Sequence, residues 1–184
     1  MKAEQVLEEL RRGNERFREG RMVTRDYASE GKAAVAGQSP GAVVLSCMDS
    51  RVPVEAIFDQ GIGDVFVLRV AGNVVNADVL GSLEFATRVV KTHLVVVLGH
   101  TDCGAVKGAI AGVELGHLTG LLERLGPAVE EGGGDVDAVI EANVRRMMAA
   151  ITRESGVVGE LVERGEVVVV GGVYDLATRA VRWL

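Results

Sequence analysis

The sequence is short of three things. It has only two cysteines in 184 residues, Cys47 and Cys103; its basic side chains number 20 against 26 acidic ones; and none of its apolar runs approaches the length of a membrane span. Each shortage excludes a class of protein. Two cysteines cannot staple a small secreted scaffold. One disulfide is their plainest use, but in a reducing compartment a pair of thiols is more often free, catalytic or metal-bound. A formal charge of -6 with scattered Lys and Arg argues against nucleic acid as a partner, because phosphate binding needs clustered cations to displace counterions. Without a run of about 20 apolar residues no membrane partner is expected. The first residues, Met1 to Phe17, are charged where a secretory signal needs an apolar core, so the expected location is cytoplasmic. Repeats and low-complexity segments are missing too.

What is present is the balance of a folded globular protein, 48% apolar and 25% charged. The length suits one domain over 1–184, with an N-terminal helical arm over 1–36 and an α/β core over 37–184. Val6, Leu7, Leu10, Asn14 and Phe17 recur at helical spacing before Gly20, which predicts a helix over 2–18 able to lie on a partner subunit. A short helix over 26–36 then leads to the turn Gln38-Ser39-Pro40-Gly41.

The remainder alternates. Runs rich in β-formers stand at 42–47, 64–70, 94–98 and 166–170, and the last three are nearly continuous apolar stretches, the pattern of parallel strands buried on both faces. Helical patterns lie between them at 53–60, 77–91 and 103–111. A long helical excursion over 117–164 is broken by a surface loop at Glu130-Glu131-Gly132-Gly133-Gly134-Asp135. Gly171-Gly172-Val173-Tyr174-Asp175 reads as a turn before a short edge strand over 180–184. The expected fold class is α/β, a central mainly parallel β-sheet flanked by helices, with the N-terminal helical arm and a short C-terminal edge strand.

In such a sheet, ligands gather beyond the carboxyl ends of the strands. The first strand runs into Cys47-Met48-Asp49-Ser50-Arg51, and the third into Gly99-His100-Thr101-Asp102-Cys103-Gly104. If these strands are neighbours, Cys47, His100 and Cys103 converge. Two thiolates and an imidazole suit zinc, and three protein ligands leave open the fourth position that a catalytic site needs. The His-x-x-Cys spacing fits a helix start, where Gly104 gives the backbone room and the helix dipole favours a thiolate. Asp49 can be a fourth ligand or an acceptor for metal-bound water, and Arg51 can hold it by paired, charge-assisted hydrogen bonds. Freed from Arg51, Asp49 can swing onto the metal and shut the site.

Taken singly, these residues have blander uses: a strand-end cysteine is a small buried residue, and Asp-x-Arg is a surface ion pair. Together they favour a metal centre, with a redox or purely structural site as the remaining options. His93, ahead of a strand, and His117, on a helical pattern, read as structural.

Cys47-x-Asp49-x-Arg51 followed by His100-x-x-Cys103 resembles the paired motif of the β-class carbonic anhydrases. Gln38-Ser39-Pro40, Ser50-Arg51-Val52-Pro53, Arg69-Val70-Ala71-Gly72-Asn73, Gly81-Ser82-Leu83-Glu84-Phe85 and Tyr174-Asp175 are similar to that family as well. The resemblance implies an enzyme with one Zn2+ per subunit that hydrates carbon dioxide reversibly to bicarbonate and a proton. It implies a homodimer or tetramer with the active site at the subunit interface. By position Cys47, His100 and Cys103 match the zinc ligands; Asp49 and Arg51 match the catalytic dyad, with Asp49 a conditional fourth ligand in a closed state. Gln38, reaching in from the partner, and Phe66, Ala71, Phe85 and Gly104 match the substrate pocket. Phe85 replaces a tyrosine of some members. Val44 stands where members with an inhibitory bicarbonate site carry tryptophan, so although Arg69 matches that site's arginine, the regulatory pocket is not expected. The alternatives are a carbonyl sulfide or carbon disulfide hydrolase on the same zinc, or a noncatalytic zinc-binding protein. The Asp49 and Arg51 pair argues against the last.

Overall fold

The computed structural model describes residues 2–184. Helix α1 (Ala3–Arg18) begins where the Gln5 side chain accepts from the Lys2 backbone N–H at 3.1 Å. Of its buried residues Val6, Leu10, Gly13 and Asn14, the two apolar side chains Val6 and Leu10 pack among Val52, Val54, Ile57 and Phe58, so it lies on its own chain's core. Helix α2 (Tyr27–Ala34) buries no side chain and is started by the Asp26 carboxylate, which accepts from the Ala28 and Ser29 N–H groups.

The core follows as β1 (Ala42–Ser46), α3 (Val54–Ile57), β2 (Val65–Arg69) and α4 (Ala77–Glu84), which widens into a π-type turn over Phe85–Val89. Next come β3 (Leu94–His100) and α5 (Gly104–Ile110), then α6 (Gly116–Glu123), α7 (Gly126–Gly132), α8 (Val136–Glu154) and α9 (Gly156–Glu163). Strands β4 (Val168–Tyr174) and β5 (Val181–Trp183) complete a sheet of order β2-β1-β3-β4-β5. All neighbours are parallel except β4 and β5. No helix among the described residues is long and apolar enough to cross a membrane.

Alternate residues of β1 and β3 feed two cores, as the period of a strand demands. Val43, Leu45, Val95 and Val97 join the cluster beneath α8, whereas Ala42, Val44, Leu94, Val96 and Leu98 join the one beneath α1 and α3. Every residue of β1 and β3 is buried. Burial on both faces does not extend to β2, which is an edge strand with part-exposed residues, nor to the start of β4.

Two other expectations are corrected. The glycines at 171 and 172 do not make a turn; they continue β4. A Cβ on Gly171 would stand 2.5 Å from Met148 Sδ and 2.7 Å from Val144 Cγ1, so glycine is required by the close approach of α8. The helical excursion divides into four. Its break falls at Gly133, with φ of 61°, and residues 130–132 belong to α7 rather than to a loop. Asp135 then accepts from Ala138 N–H to start α8, and Ser155 separates α8 from α9 by accepting from Val158 N–H.

Candidate active site

Strands β1 and β3 are adjacent and in register from Ala42 opposite Leu94 to Ser46 opposite Leu98, so their carboxyl ends open side by side. Cys47 follows the one, His100 ends the other, and Cys103 caps α5. All three are buried, and their ligand atoms lie within 4.8 Å of one another. The two sulfurs are 4.0 Å apart. A tetrahedral zinc with Zn–S bonds of about 2.3 Å sets two thiolates roughly 3.8 Å apart, so the spacing fits that ion. His100 Nδ1–H donates to the Thr101 carbonyl at 2.9 Å, which leaves Nε2 as the lone-pair nitrogen. That Nε2 is buried and has no hydrogen-bond partner among the described residues.

The thiols share a proton. Hydrogen bonding with Cys103, helped by the Asp49 and Gly72 N–H groups and opposed by burial, holds Cys47 well below the usual thiol range, while hydrogen bonding to Cys47 and burial push Cys103 up. A metal would displace that last proton and hold both thiolates. The Gly72 N–H donates to Cys47 Sγ at 3.4 Å from a left-handed turn with φ of 66°, where a Cβ would press on Leu125 and Ala105. Asn143 of α8 in turn donates to the Gly72 carbonyl at 2.9 Å.

Beside the cluster, Asp49 Oδ2 is 3.9 Å from His100 Nε2. Arg51 grips this carboxylate with Nε to Oδ1 at 3.0 Å and Nη2 to Oδ2 at 2.8 Å, and its backbone N–H donates to Oδ1 at 2.9 Å. The Arg51 hydrogen bonds hold the Asp49 carboxyl well below the usual carboxylate range. Arg69 donates to the Cys47 carbonyl at 3.1 Å and to the Asp49 carbonyl, bracing the turn that carries both residues. Asp102, which sequence reading passed over as filler between two ligands, receives Arg51 Nη1 at 3.0 Å and pairs with Lys107. Nothing in the sequence marks Asn143, and Gly72 is marked only as part of the run Arg69-Val70-Ala71-Gly72-Asn73, because their contacts are made across the fold.

Ala71 and Gly104 sit at the cluster: the first opens the turn Ala71–Asn73 and the second is the first residue of α5. Three other residues are not brought there within one chain. Gln38 precedes β1 and so stands at the opposite end of the sheet from Cys47, lining a cleft with Arg25, Glu30 and Asp64. Phe66 and Phe85 both line an open groove of about 540 Å3 along edge strand β2, with Val43, Leu68 and Gly81. His93 donates to the Glu166 carbonyl at 3.0 Å, and His117 is exposed on α6; neither joins the cluster.

The profile of the family described as carbonic anhydrase matches residues 42–181. Carbonic anhydrase 2 of Mycobacterium tuberculosis is 41% identical over 177 residues, spanning 91% of this chain and 86% of that protein. Among solved structures, the β-carbonic anhydrase CafA of Aspergillus fumigatus superposes with a TM-score of 0.75 at 32% identity, over 86% of this chain and 81% of that one. A tetrameric β-carbonic anhydrase of Sordaria macrospora gives 0.74 at 25% identity, over 85% and 91%. On the fold, the buried Cys-His-Cys cluster and this likeness across most of its length, the chain belongs to the β-class carbonic anhydrases.

Proposed function

We propose that the protein hydrates carbon dioxide reversibly to bicarbonate and a proton, with one Zn2+ per subunit held by Cys47, His100 and Cys103. The observation that carries this reading is the bare, buried Nε2 of His100 beside two buried sulfurs and an arginine-held carboxylate. Bound there with a coordination position free, zinc supplies Lewis acidity that makes water a nucleophile near neutral pH.

The chain's own residues supply orientation. Arg51 keeps Asp49 ionised, so Oδ2 accepts a hydrogen bond from the attacking water and aims its lone pair at carbon. If Asp49 leaves Arg51, the same oxygen is close enough to the cluster to take the fourth position and close the site. Gly72 N–H tempers the charge on Cys47, and the small residues Ala71 and Gly104 leave space for a linear triatomic substrate. Gln38, at the opposite end of β1 from its own chain's cluster, is supplied by a second copy, and the Phe66 and Phe85 groove on edge strand β2 is where that copy completes the pocket. A dimer or tetramer is therefore the working form.

Stopped-flow carbon dioxide hydration on zinc-quantified protein tests this directly. Turnover proportional to zinc content is expected. Full zinc occupancy with no hydration would reject the reading, and release of sulfide from carbonyl sulfide in its place would identify the hydrolase instead. Solution mass tests the oligomer, with a monomer at assay concentration as the contrary result.

A further inference from the structure

Asp102 stands between two metal ligands with φ of 60°, a left-handed conformation that glycine adopts without strain. The backbone alone therefore does not ask for a carboxylate. What the turn does is aim both the side chain and the carbonyl of Asp102 at Arg51: Nη1 donates to Oδ2 at 3.0 Å and Nη2 to the carbonyl at 3.2 Å. Asp49 takes the other edge of the guanidinium, through Nε and Nη2. Arg51 is thus clasped along two edges, although its side chain is 48% exposed and would otherwise be free to sample rotamers. The remaining oxygen of Asp102, Oδ1, is occupied by Lys107 from α5.

We propose that Asp102, backed by Lys107, is a positioning residue that fixes Arg51 and thereby keeps Asp49 away from the metal. The inference rests on the proposed zinc site and adds a member to it. Two effects compete. A second carboxylate could draw Arg51 away from Asp49, or it could hold the fork still so that Asp49 meets a preorganised partner. The geometry decides for the second, because the two carboxylates use different edges of the fork and Lys107 balances the charge of Asp102. Without Asp102 the guanidinium regains its rotamers, the Asp49 contact loses that preorganisation, and the carboxylate spends more time on the metal.

The test uses full-length protein loaded with zinc for kinetics and with cobalt(II) for spectroscopy, since the visible bands of cobalt report its ligands. Asp102→Asn should still bind one metal per chain. It should lose about two- to fivefold in kcat/KM, the range of an exposed, well-formed ion pair, and its cobalt spectrum should shift toward an added carboxylate ligand. Lys107→Met should move both in the same direction by less. In an Asp49→Asn background the cobalt shift on adding Asp102→Asn should vanish, which a merely structural role would not produce. An equal shift in both backgrounds, or a wild-type spectrum and rate in both single variants, would overturn the proposal. Wild-type protein that loads metal but hydrates no carbon dioxide would sink the proposed function instead, and the cobalt spectra would still decide the role of Asp102.

Discussion

Asp59 and His100 are both buried, at 1% and 0% exposure, but their surroundings treat them oppositely. Asp59, under the N-terminal arm, is saturated. Its carboxylate receives Arg16 Nε and the Val23 N–H and lies 3.9 Å from Arg25, while its carbonyl accepts from Arg25 at 2.6 Å. His100, at the carboxyl end of the sheet, has one nitrogen satisfied and one bare. The bare atoms keep company. Among the described residues, the buried side-chain polar atoms without a partner are Ser46 Oγ, Asn73 Nδ2, His100 Nε2 and Asn143 Oδ1. Ser46 adjoins Cys47, and Asn73 and Asn143 adjoin or hold Gly72, so all four belong to the segments of the Cys-His-Cys cluster or their immediate support. A completed network costs little to bury and can serve as an anchor; an incomplete one is tolerated where something else is to be bound. The arm is fastened, and the carboxyl end of the sheet is left unfinished for chemistry.

That contrast can be broken by substitution at either end. The largest effect is expected at the unfinished one. Cys47→Ser puts a hydroxyl, a poor zinc ligand, in place of a thiolate, and should cost more metal affinity than the roughly 10- to 100-fold typical of an outer partner. Zinc content after dialysis against a chelator measures it, and unchanged content would refute the ligand set. Asp49→Ala separates binding from chemistry: metal should stay while hydration falls about 100- to 1,000-fold, the scale for losing one preorganised contact to the reacting group. Retained full activity would remove Asp49 from the mechanism.

Asp59→Ala attacks the saturated end. It leaves Arg16 and Arg25 facing each other across the vacated carboxylate, with side chains only 25% and 17% exposed. A loss of about 2–4 kcal/mol in urea unfolding is expected, somewhat reduced by the residual exposure of both arginines, with metal affinity unchanged. Lost metal at unchanged stability would mean that the two regions are not separate devices.

The unfinished end was far more legible in the sequence than the fastened one. Cys47, His100 and Cys103 could be found because two apolar runs announce strands and the reactive residues stand at or just beyond their ends; that the strands are neighbours is seen only in the fold. Asp59 gives no such notice: its partners Arg16 and Arg25 lie 43 and 34 residues away, on no shared period. Asp102 was hidden for another reason, occupying a position where the motif accepts any residue. Gly171 and Gly172 misled because glycine marks both turns and close approaches, and only the position of Met148 and Val144 tells which. The succession of strands and helices along the chain follows from local pattern, but the order of strands in the sheet does not, so the apolar run of β2 gives no notice that it lies at an edge.

Asn143 offers the finest test, because there the two kinds of buried polarity meet in one side chain. Its Nδ2 donates to the Gly72 carbonyl, steadying the turn whose N–H reaches Cys47, while its Oδ1 has no partner among the described residues. Asn143→Leu removes one hydrogen bond and one unpaired acceptor together. Loss of the first destabilises and loss of the second stabilises, so urea unfolding should shift by no more than about 1 kcal/mol. Metal affinity responds to only one of them. With the Gly72 turn unsupported, chelator competition should show a loss of up to about tenfold, the lower end for an outer partner of a metal ligand. A fall in stability with unchanged affinity would place Asn143 with Asp59 as an anchor. A fall in affinity at nearly constant stability would show that its unpaired oxygen is retained because the other end of the amide serves the metal site.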